Sequence, residues 1–140
     1  MVGAPMRALL YGLTGSLVES AFTSGVASFG RARITLHGPS TWVMVPLYGL
    51  AQLLFEPVHD AVRGRPWWHR GAVYAAGIFT LEAVAGWTLR AVTGRCPWDY
   101  SGRSPLAVDG VIRLDYAPLW AGLGLATERL HDALTVRRAG

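Results

Sequence analysis

Four glutamates lie in apolar stretches of the sequence, where a charged carboxylate is poorly solvated. Glu19 and Glu82 have no basic residue within one helical turn, whereas Glu56 and Glu128 each stand three residues before a histidine. A carboxylate in apolar surroundings either takes up a proton or finds a partner, and such groups mark proton or cation pathways. We predict that these four residues form an intramembrane polar site, provided that the stretches span a membrane.

The same residues include the ligand types of a dinuclear metal site. Two helices that each supply Glu, together with two that each supply Glu-x-x-His, form the ligand set of di-iron carboxylate bundles. Here Glu56 would pair with His59 and Glu128 with His131, because positions i and i+3 share a helix face. Glu19 and Glu56 differ by about 10 Å in depth along their helices, which opposes closure of the cluster. A metal site is therefore an alternative, and we predict no cofactor.

Composition indicates a membrane protein. Hydrophobic residues make up 51% of the 140 residues and charged residues only 16%, against about a quarter in a typical globular protein. Four apolar segments approach the length of about 20 residues that a membrane span needs. They cover residues 8–30, 34–55, 71–89 and 116–136. We predict an all-α, polytopic membrane protein with four transmembrane helices.

An internal repeat relates residues 8–60 to residues 71–132. The pairs matched at an offset of 72 positions are Pro46 and Pro118, Glu56 and Glu128, His59 and His131, and Asp60 and Asp132. The first and third helices match more weakly at an offset of 63, where Tyr11 aligns with Tyr74 and Glu19 with Glu82. A duplication of this kind predicts two tandem helical hairpins with one orientation, forming a single membrane domain over residues 1–140.

The basic residues bear on orientation and partners. All 13 are arginines, and they are scattered rather than massed, which argues against a nucleic-acid partner. If both termini lie on one side of the membrane, that side holds seven arginines and the other side holds six. The short loop of residues 63–70, on the side of the termini, has three of those seven arginines close together. This pattern favours cytoplasmic termini. Small residues such as Gly12, Gly15 and Gly122 favour close helix packing, so we expect membrane lipids and a second copy or partner membrane subunit as partners.

The longest connection, residues 94–115, holds helix-breaking residues and the sequence RCPWDYS at positions 95–101. Gly94 can close the third helix in the left-handed conformation. Trp98 is expected to anchor at the membrane interface, with Tyr100 at the polar edge. We predict a folded loop that covers the helices. If the loop has a function beyond this structural one, it is an entrance for a ligand headgroup, with Arg95 and Asp99 as recognition groups.

This motif, followed by Gly110-Val111-Ile112 and Trp120, resembles the transmembrane protein 229 family and the related bacterial group named Putative ABC-transporter type IV. The resemblance extends over nearly the whole chain. It implies a small multi-pass membrane protein, and the bacterial name implies transport. The chain has no nucleotide-binding sequence, so an ATP-driven role would need another subunit. The resemblance does not carry over to His59 and His131, which weighs against the metal site.

Three functions follow as hypotheses. The first is a transport-related protein with Glu19 and Glu82 as the central carboxylates of its site. The second is a membrane-embedded enzyme that acts on lipid, with or without a metal. The third is a structural or assembly subunit, in which the polar groups hold helices together. The sequence leaves enzymatic activity undecided.

Overall fold

The computed structural model describes residues 3–27 and 39–135, with side chains described for residues 3–18, 46, 48–50 and 53–135. Within these residues there are four α-helices, and a short antiparallel hairpin and a 3-10 turn lie between the last two. The elements are α1 (Ala4–Ala27), α2 (Pro39–Val62), α3 (Trp67–Thr93), β1 (Ala107–Val108), β2 (Ile112–Arg113), the 3-10 turn (Leu114–Tyr116) and α4 (Ala117–Thr135). The predicted all-α class is confirmed.

Proline and glycine set the boundaries of α3. The helix begins at Trp67, directly after Pro66, and therefore one turn earlier than the predicted segment. It ends at Thr93 and is capped by Gly94, which adopts a φ of 79° and donates its N–H to the carbonyl of Arg90 at 2.9 Å. A residue other than glycine would be strained at this φ, so the predicted left-handed cap is confirmed.

Helix α2 is longer than its predicted segment at the carboxyl end. It continues through Pro57 to Val62, whereas the sequence predicted an end near residue 55. Proline removes one backbone hydrogen bond, but an apolar helix packed against neighbours tolerates the loss. Glu56 and His59 consequently lie inside a helix, which fixes the directions of their side chains.

One helix in the described part of the chain, α3, is long and apolar enough to cross a membrane. Its 27 residues extend over about 40 Å at 1.5 Å per residue, more than the hydrocarbon core of about 30 Å. Helix α4 carries Glu128, Arg129 and Asp132 within its 19 residues, and these charged residues make it less apolar than a helix that crosses a membrane by itself. The other three spans remain predictions.

The chain divides into two compact units, one formed by Met1–Leu54 with His131–Gly140 and the other by Phe55–Leu130. In the first unit, α1 approaches α2 closely at Gly15, where an added Cβ would lie 2.7 Å from the ring of Tyr48. In the second unit, the core contains the fully buried side chains of His59, Val111 and Trp120.

The connection between α3 and α4 is folded onto α3. Val111, at the end of the hairpin turn, is completely buried, and a Cβ added at Gly86 of α3 would collide with its side chain. Trp98, which is 7% exposed, donates its indole N–H to the carbonyl of Val111 at 3.1 Å. Gly86 is therefore the place on α3 where the connection packs against the helix.

We expect Gly86→Ala to destabilise the protein, because the new methyl group needs the space that Val111 fills. Overpacking of this kind costs about 1–3 kcal/mol. Gly77→Ala is the matched control, since it lies on the same helix and an added Cβ there meets nothing within 4 Å. Thermal unfolding in detergent, followed by circular dichroism, should show a lower midpoint for Gly86→Ala and an unchanged or higher midpoint for Gly77→Ala. Equal midpoints for the two variants would contradict the packing described here.

Candidate functional site

Four polar side chains form a connected cluster in the Phe55–Leu130 unit. The hydroxyl of Tyr74 donates to Glu128 Oε2 at 2.8 Å, and Nδ1 of His59 lies 3.1 Å from the same hydroxyl. Nε of Arg70 lies 3.0 Å from Glu128 Oε2. We call His59, Arg70, Tyr74 and Glu128 the polar network. It joins α2, α3 and α4.

The hydrogen bonds fix where the protons lie. A tyrosine hydroxyl has one proton, and Tyr74 donates it to Glu128. The bond between His59 and Tyr74 therefore runs from the imidazole Nδ1–H to the phenolic oxygen. This assignment holds for neutral His59 protonated at Nδ1 and for the imidazolium, so the network accommodates both charge states of the ring.

Helix periodicity places the members on α3 and α4. Arg70 lies in the first turn of α3, and Tyr74 follows it by four residues, so both side chains point to the same face. Gly124 of α4 precedes Glu128 by four residues. A Cβ added at Gly124 would collide with Tyr74, so the absence of a side chain there lets the tyrosine approach α4.

Aromatic packing holds His59 in position on α2. Phe55, one turn earlier, stacks on the imidazole with ring centroids 5.8 Å apart and an interplanar angle of 7°. Its ring also contacts that of Tyr74, with centroids 5.1 Å apart. The imidazole is thus bounded by two aromatic rings, which restrict its rotation and exclude water from it.

Burial increases along the network. The side chains of Arg70 and Glu128 are 21% and 12% exposed, whereas Tyr74 is 4% exposed and His59 is fully buried. The network therefore leads from partly exposed charges to an enclosed imidazole. A proton can move along such a line of hydrogen bonds, since every member except Arg70 is able to donate and accept when its protonation state changes.

The predicted glutamates occupy different places. Glu128 belongs to the network. Glu82 is 3% exposed on α3, eight residues after Tyr74 and hence about 12 Å further along the helix. Glu56 is half-buried on α2, three residues before His59. The side chain of Glu19 lies outside the described side chains.

The alternative metal site of Glu56, His59, Glu128 and His131 stays a prediction. Nδ1 of His59 lies 3.5 Å from Glu128 Oε2 and carries a proton, so only Nε2 of this ring could coordinate a cation. The guanidinium of Arg70 also places a positive charge beside the carboxylate.

A second tyrosine–histidine hydrogen bond lies in the other unit. The hydroxyl of Tyr11 is 2.8 Å from Nδ1 of His131, and both side chains are buried. Tyr11 aligns with Tyr74 in the sequence repeat and His131 aligns with His59. Sequence reasoning noted these matches but gave the tyrosines no role. Their recurrence was the signal that could have identified them.

The four residues predicted for loop recognition separate into two kinds. Trp98 and Tyr100 are buried, and Tyr100 packs edge-on against Tyr116 with ring centroids 5.8 Å apart. These aromatic residues belong to the core of the unit. Arg95 and Asp99 are exposed and line a cavity of about 620 Å³.

Hydrogen bonds and burial set the electrostatics of the connection. The backbone N–H of Ser101 donates to Asp99 Oδ1 at 2.9 Å, and this bond lowers the pKa of Asp99. The guanidinium of Arg113 pairs with Asp115 and lowers the pKa of that carboxyl. Burial raises the pKa of the Cys96 thiol. The two carboxylates are therefore charged at neutral pH, and the thiol is protonated.

Comparison with known proteins identifies one family. The family model described as Putative ABC-transporter type IV matches residues 8–139, which is nearly the whole chain. The match includes the polar network and the connection between α3 and α4, and it confirms the bacterial part of the resemblance. No curated protein and no solved structure matches this chain.

We expect Tyr74→Phe to weaken the protein by about 1–3 kcal/mol, because His59 and Glu128 both lose a buried hydrogen-bond partner. Unfolding in a mixed-micelle titration with sodium dodecyl sulfate would measure the difference. Thr80→Val is the matched control on α3, since it also removes a hydroxyl, but from an exposed position where the partner is the carbonyl of Ala76. If Tyr74→Phe loses no more stability than Thr80→Val, Tyr74 does not link His59 to Glu128.

We expect the carboxyl of Asp99 to titrate below the ordinary aspartate pKa of about 3.9, because Ser101 stabilises its charged form. The resulting stabilisation of the turn is complete above about pH 4 and is lost as the pH falls through the lowered pKa. Carboxyl chemical shifts in a pH titration would give the midpoint. Ser101→Ala should raise the midpoint only in part, since the backbone bond remains, and a midpoint at or above the ordinary value in the unmodified protein would refute the assignment.

Proposed function

Because this chain belongs to the family described as Putative ABC-transporter type IV, we propose that it is a transport-related membrane protein whose buried titratable groups carry protons. The observation that carries the proposal is the fully buried imidazole of His59, linked through Tyr74 to the partly exposed carboxylate of Glu128. A protein that needed only to hold helices together has no requirement for a titratable ring at the enclosed end of such a line.

Glu82 extends the proposal toward the centre of the membrane. It is 3% exposed and lies fifteen residues after the start of α3, the helix that is long and apolar enough to span. That spacing corresponds to a depth of about 22 Å from the Trp67 end. Ionisable groups at such depth are expensive in a bilayer and generally mark ion or proton pathways.

A path follows from these depths. His59 gives the proton on Nδ1 to the oxygen of Tyr74, Tyr74 gives its own proton to Glu128, and Glu128 releases it to water at its exposed edge. Nε2 of His59 takes up the next proton. Glu82 is the next carboxylate along α3, about 12 Å beyond Tyr74. The guanidinium of Arg70 lies beside Glu128 and places a positive charge next to the carboxylate that receives the proton. Glu56 is proposed to line the same path, and Glu19 stays a predicted residue of the intramembrane polar site.

The proposal includes four membrane spans built as two tandem hairpins, with both termini cytoplasmic. The tandem arrangement of the two hairpins is supported by the pair of equivalent hydrogen bonds between tyrosines and histidines. Each bond connects the first half of the repeat with the second, Tyr11 with His131 and His59 with Tyr74. We further propose that the protein works as a homo-oligomer or with a partner membrane subunit, because four helices leave little room for a solute and the chain has no nucleotide-binding sequence.

A structural or assembly role is the second candidate, and the ion pair of Arg70 with Glu128 favours it. Arg70 and Tyr74 of α3 both contact the carboxylate on α4, so the network also ties helices together. Interhelical polar contacts of this kind contribute about 0.6 kcal/mol each in membrane proteins. The two roles differ in what they require of Glu82, which lies outside the network.

Proton flux into proteoliposomes distinguishes the two roles. The purified chain would be reconstituted with a pH-sensitive dye inside the vesicles, and flux would be driven by an imposed potassium diffusion potential. We expect flux from the unmodified protein, and a loss of roughly tenfold or more in Glu82→Gln and His59→Gln, because neither amide can carry a proton. Thr80→Val, exposed on α3, should retain full flux. Unchanged flux in Glu82→Gln would refute the proposed path, and a complete absence of flux in every variant would favour the assembly role.

A further inference from the structure

A cavity of about 620 Å³ lies where the connection between α3 and α4 meets the end of α3. It belongs to the Phe55–Leu130 unit and is separate from the polar network. The charged residues that line it are Arg90, Arg95, Asp99 and Asp109. Its volume falls within the range of about 300–1,000 Å³ that small-molecule sites occupy.

Two of these charges neutralise each other. Arg90 pairs with the carboxylate of Asp109 at 3.0 Å and donates a second hydrogen bond to its backbone carbonyl at 2.8 Å. Trp87 also donates its indole N–H to the same carboxylate, at 2.8 Å. These contacts hold Asp109 at a φ of 52°, in the left-handed region that the tight turn requires. Arg90 and Asp109 are therefore used in folding the connection.

The other two charges remain available to a ligand. In the part of the chain that the structure describes, the guanidinium of Arg95 makes no hydrogen bond or ion pair. Asp99 accepts hydrogen bonds from Ser101, and its carboxylate forms no ion pair among the same residues. Two opposite charges thus line one cavity without neutralising each other. Such a pair matches a ligand that carries both signs of charge.

Two glycines leave the backbone accessible in part of the cavity wall. Gly94 and Gly102 line the cavity with φ angles of 79° and 70°, and an added Cβ at either position would meet nothing within 4 Å. Side chains other than that of glycine are strained at these angles. A ligand can therefore approach the main chain at Gly94 and Gly102, on either side of the segment that carries Arg95 and Asp99, without meeting side chains at those two positions.

We propose that this cavity binds a zwitterionic phosphoethanolamine group, with Arg95 contacting the phosphate and Asp99 the primary ammonium. An anion alone would be repelled by Asp99, and a cation alone by Arg95. Arginine donates two parallel hydrogen bonds to phosphate, and a primary ammonium donates hydrogen bonds to a carboxylate, which a quaternary ammonium cannot do. The site therefore selects phosphoethanolamine over phosphocholine and over phosphoglycerol.

The expected source of this group is a membrane lipid. Gly94 directly follows α3, so the cavity lies at the end of the helix that is able to span the membrane. This assignment to a lipid, unlike the headgroup chemistry, rests on the membrane placement in the proposed function. Free phosphoethanolamine has the same chemistry, and the experiment treats it separately.

The full chain would be purified in mixed micelles that contain equal amounts of phosphatidylethanolamine, phosphatidylcholine and phosphatidylglycerol. Native mass spectrometry would then count the lipids that remain bound. We expect phosphatidylethanolamine to be retained roughly tenfold over the other two, in line with the loss of one charge-assisted contact in each competitor. Arg95→Gln and Asp99→Asn should each abolish the preference. Arg103→Gln, in the same connection but outside the cavity lining, is the matched control and should keep it.

A second arm measures thermal stabilisation by free phosphoethanolamine and by inorganic phosphate. Stabilisation by phosphoethanolamine without a lipid preference would support the same site with a soluble ligand. Equal retention of the three lipids without stabilisation would overturn the proposal, as would a preference that survives both substitutions or an equal response to inorganic phosphate. The result is independent of proton flux, because Glu82 and His59 do not line the cavity, so either proposal can fail while the other stands.

Discussion

The carboxylate of Glu128 is the group on which the arrangement of the Phe55–Leu130 unit depends. A charge that is 12% exposed needs partners, and it obtains them from two residues of α3 one turn apart. Those partners require α3 and α4 to pass at a short distance, which Gly124 permits. His59 then completes the line from α2. Removing the hydroxyl of Tyr74 leaves His59 and Glu128 without the hydrogen-bond partner that they share, so this residue connects three helices.

In the connection between α3 and α4, apolar packing positions the charged residues, whereas around Glu128 a charged residue positions the helices. Val111 fills the space beside Gly86, and Trp98 bonds to the carbonyl of Val111. Arg113 lies over the ring of Tyr116, with its guanidinium carbon 4.2 Å from the ring centre, and pairs with Asp115. The buried part is thus satisfied internally. Arg95 and Asp99 remain at the surface of a rigid support.

Long apolar segments and helix-breaking residues allowed much of the fold to be predicted. Four helices, the left-handed cap at Gly94 and a folded connection follow from patterns that act over short distances. The hairpin does not, because strands of two residues are too short to show an alternating pattern. The sequence predicts a start of α3 after Arg70, whereas the helix begins at Trp67, so Arg70 could not be predicted as a helical partner of Glu128.

The candidate site could be predicted only in part, for a physical reason. The residue types that signal chemistry, Glu128 and His59, were found from the sequence. The phenol that joins them was not, because a tyrosine in an apolar helix is indistinguishable from a core residue until the distance between α3 and α4 is known. Likewise, the aromatic residues of the RCPWDYS motif are typical of a membrane interface, yet Trp98 and Tyr100 are buried by the fold of the connection itself.

The single cysteine gives this architecture an internal reporter. Cys96 is half-buried beside Gly86, and its thiol donates to the carbonyl of Trp98 at 3.1 Å. Burial keeps the thiol protonated and therefore poorly nucleophilic while the connection is packed against α3. Alkylation of this sulfur consequently measures the fraction of time that the connection lifts away from the helix. Detachment of the segment can thus be timed in the native chain, without introducing a label site.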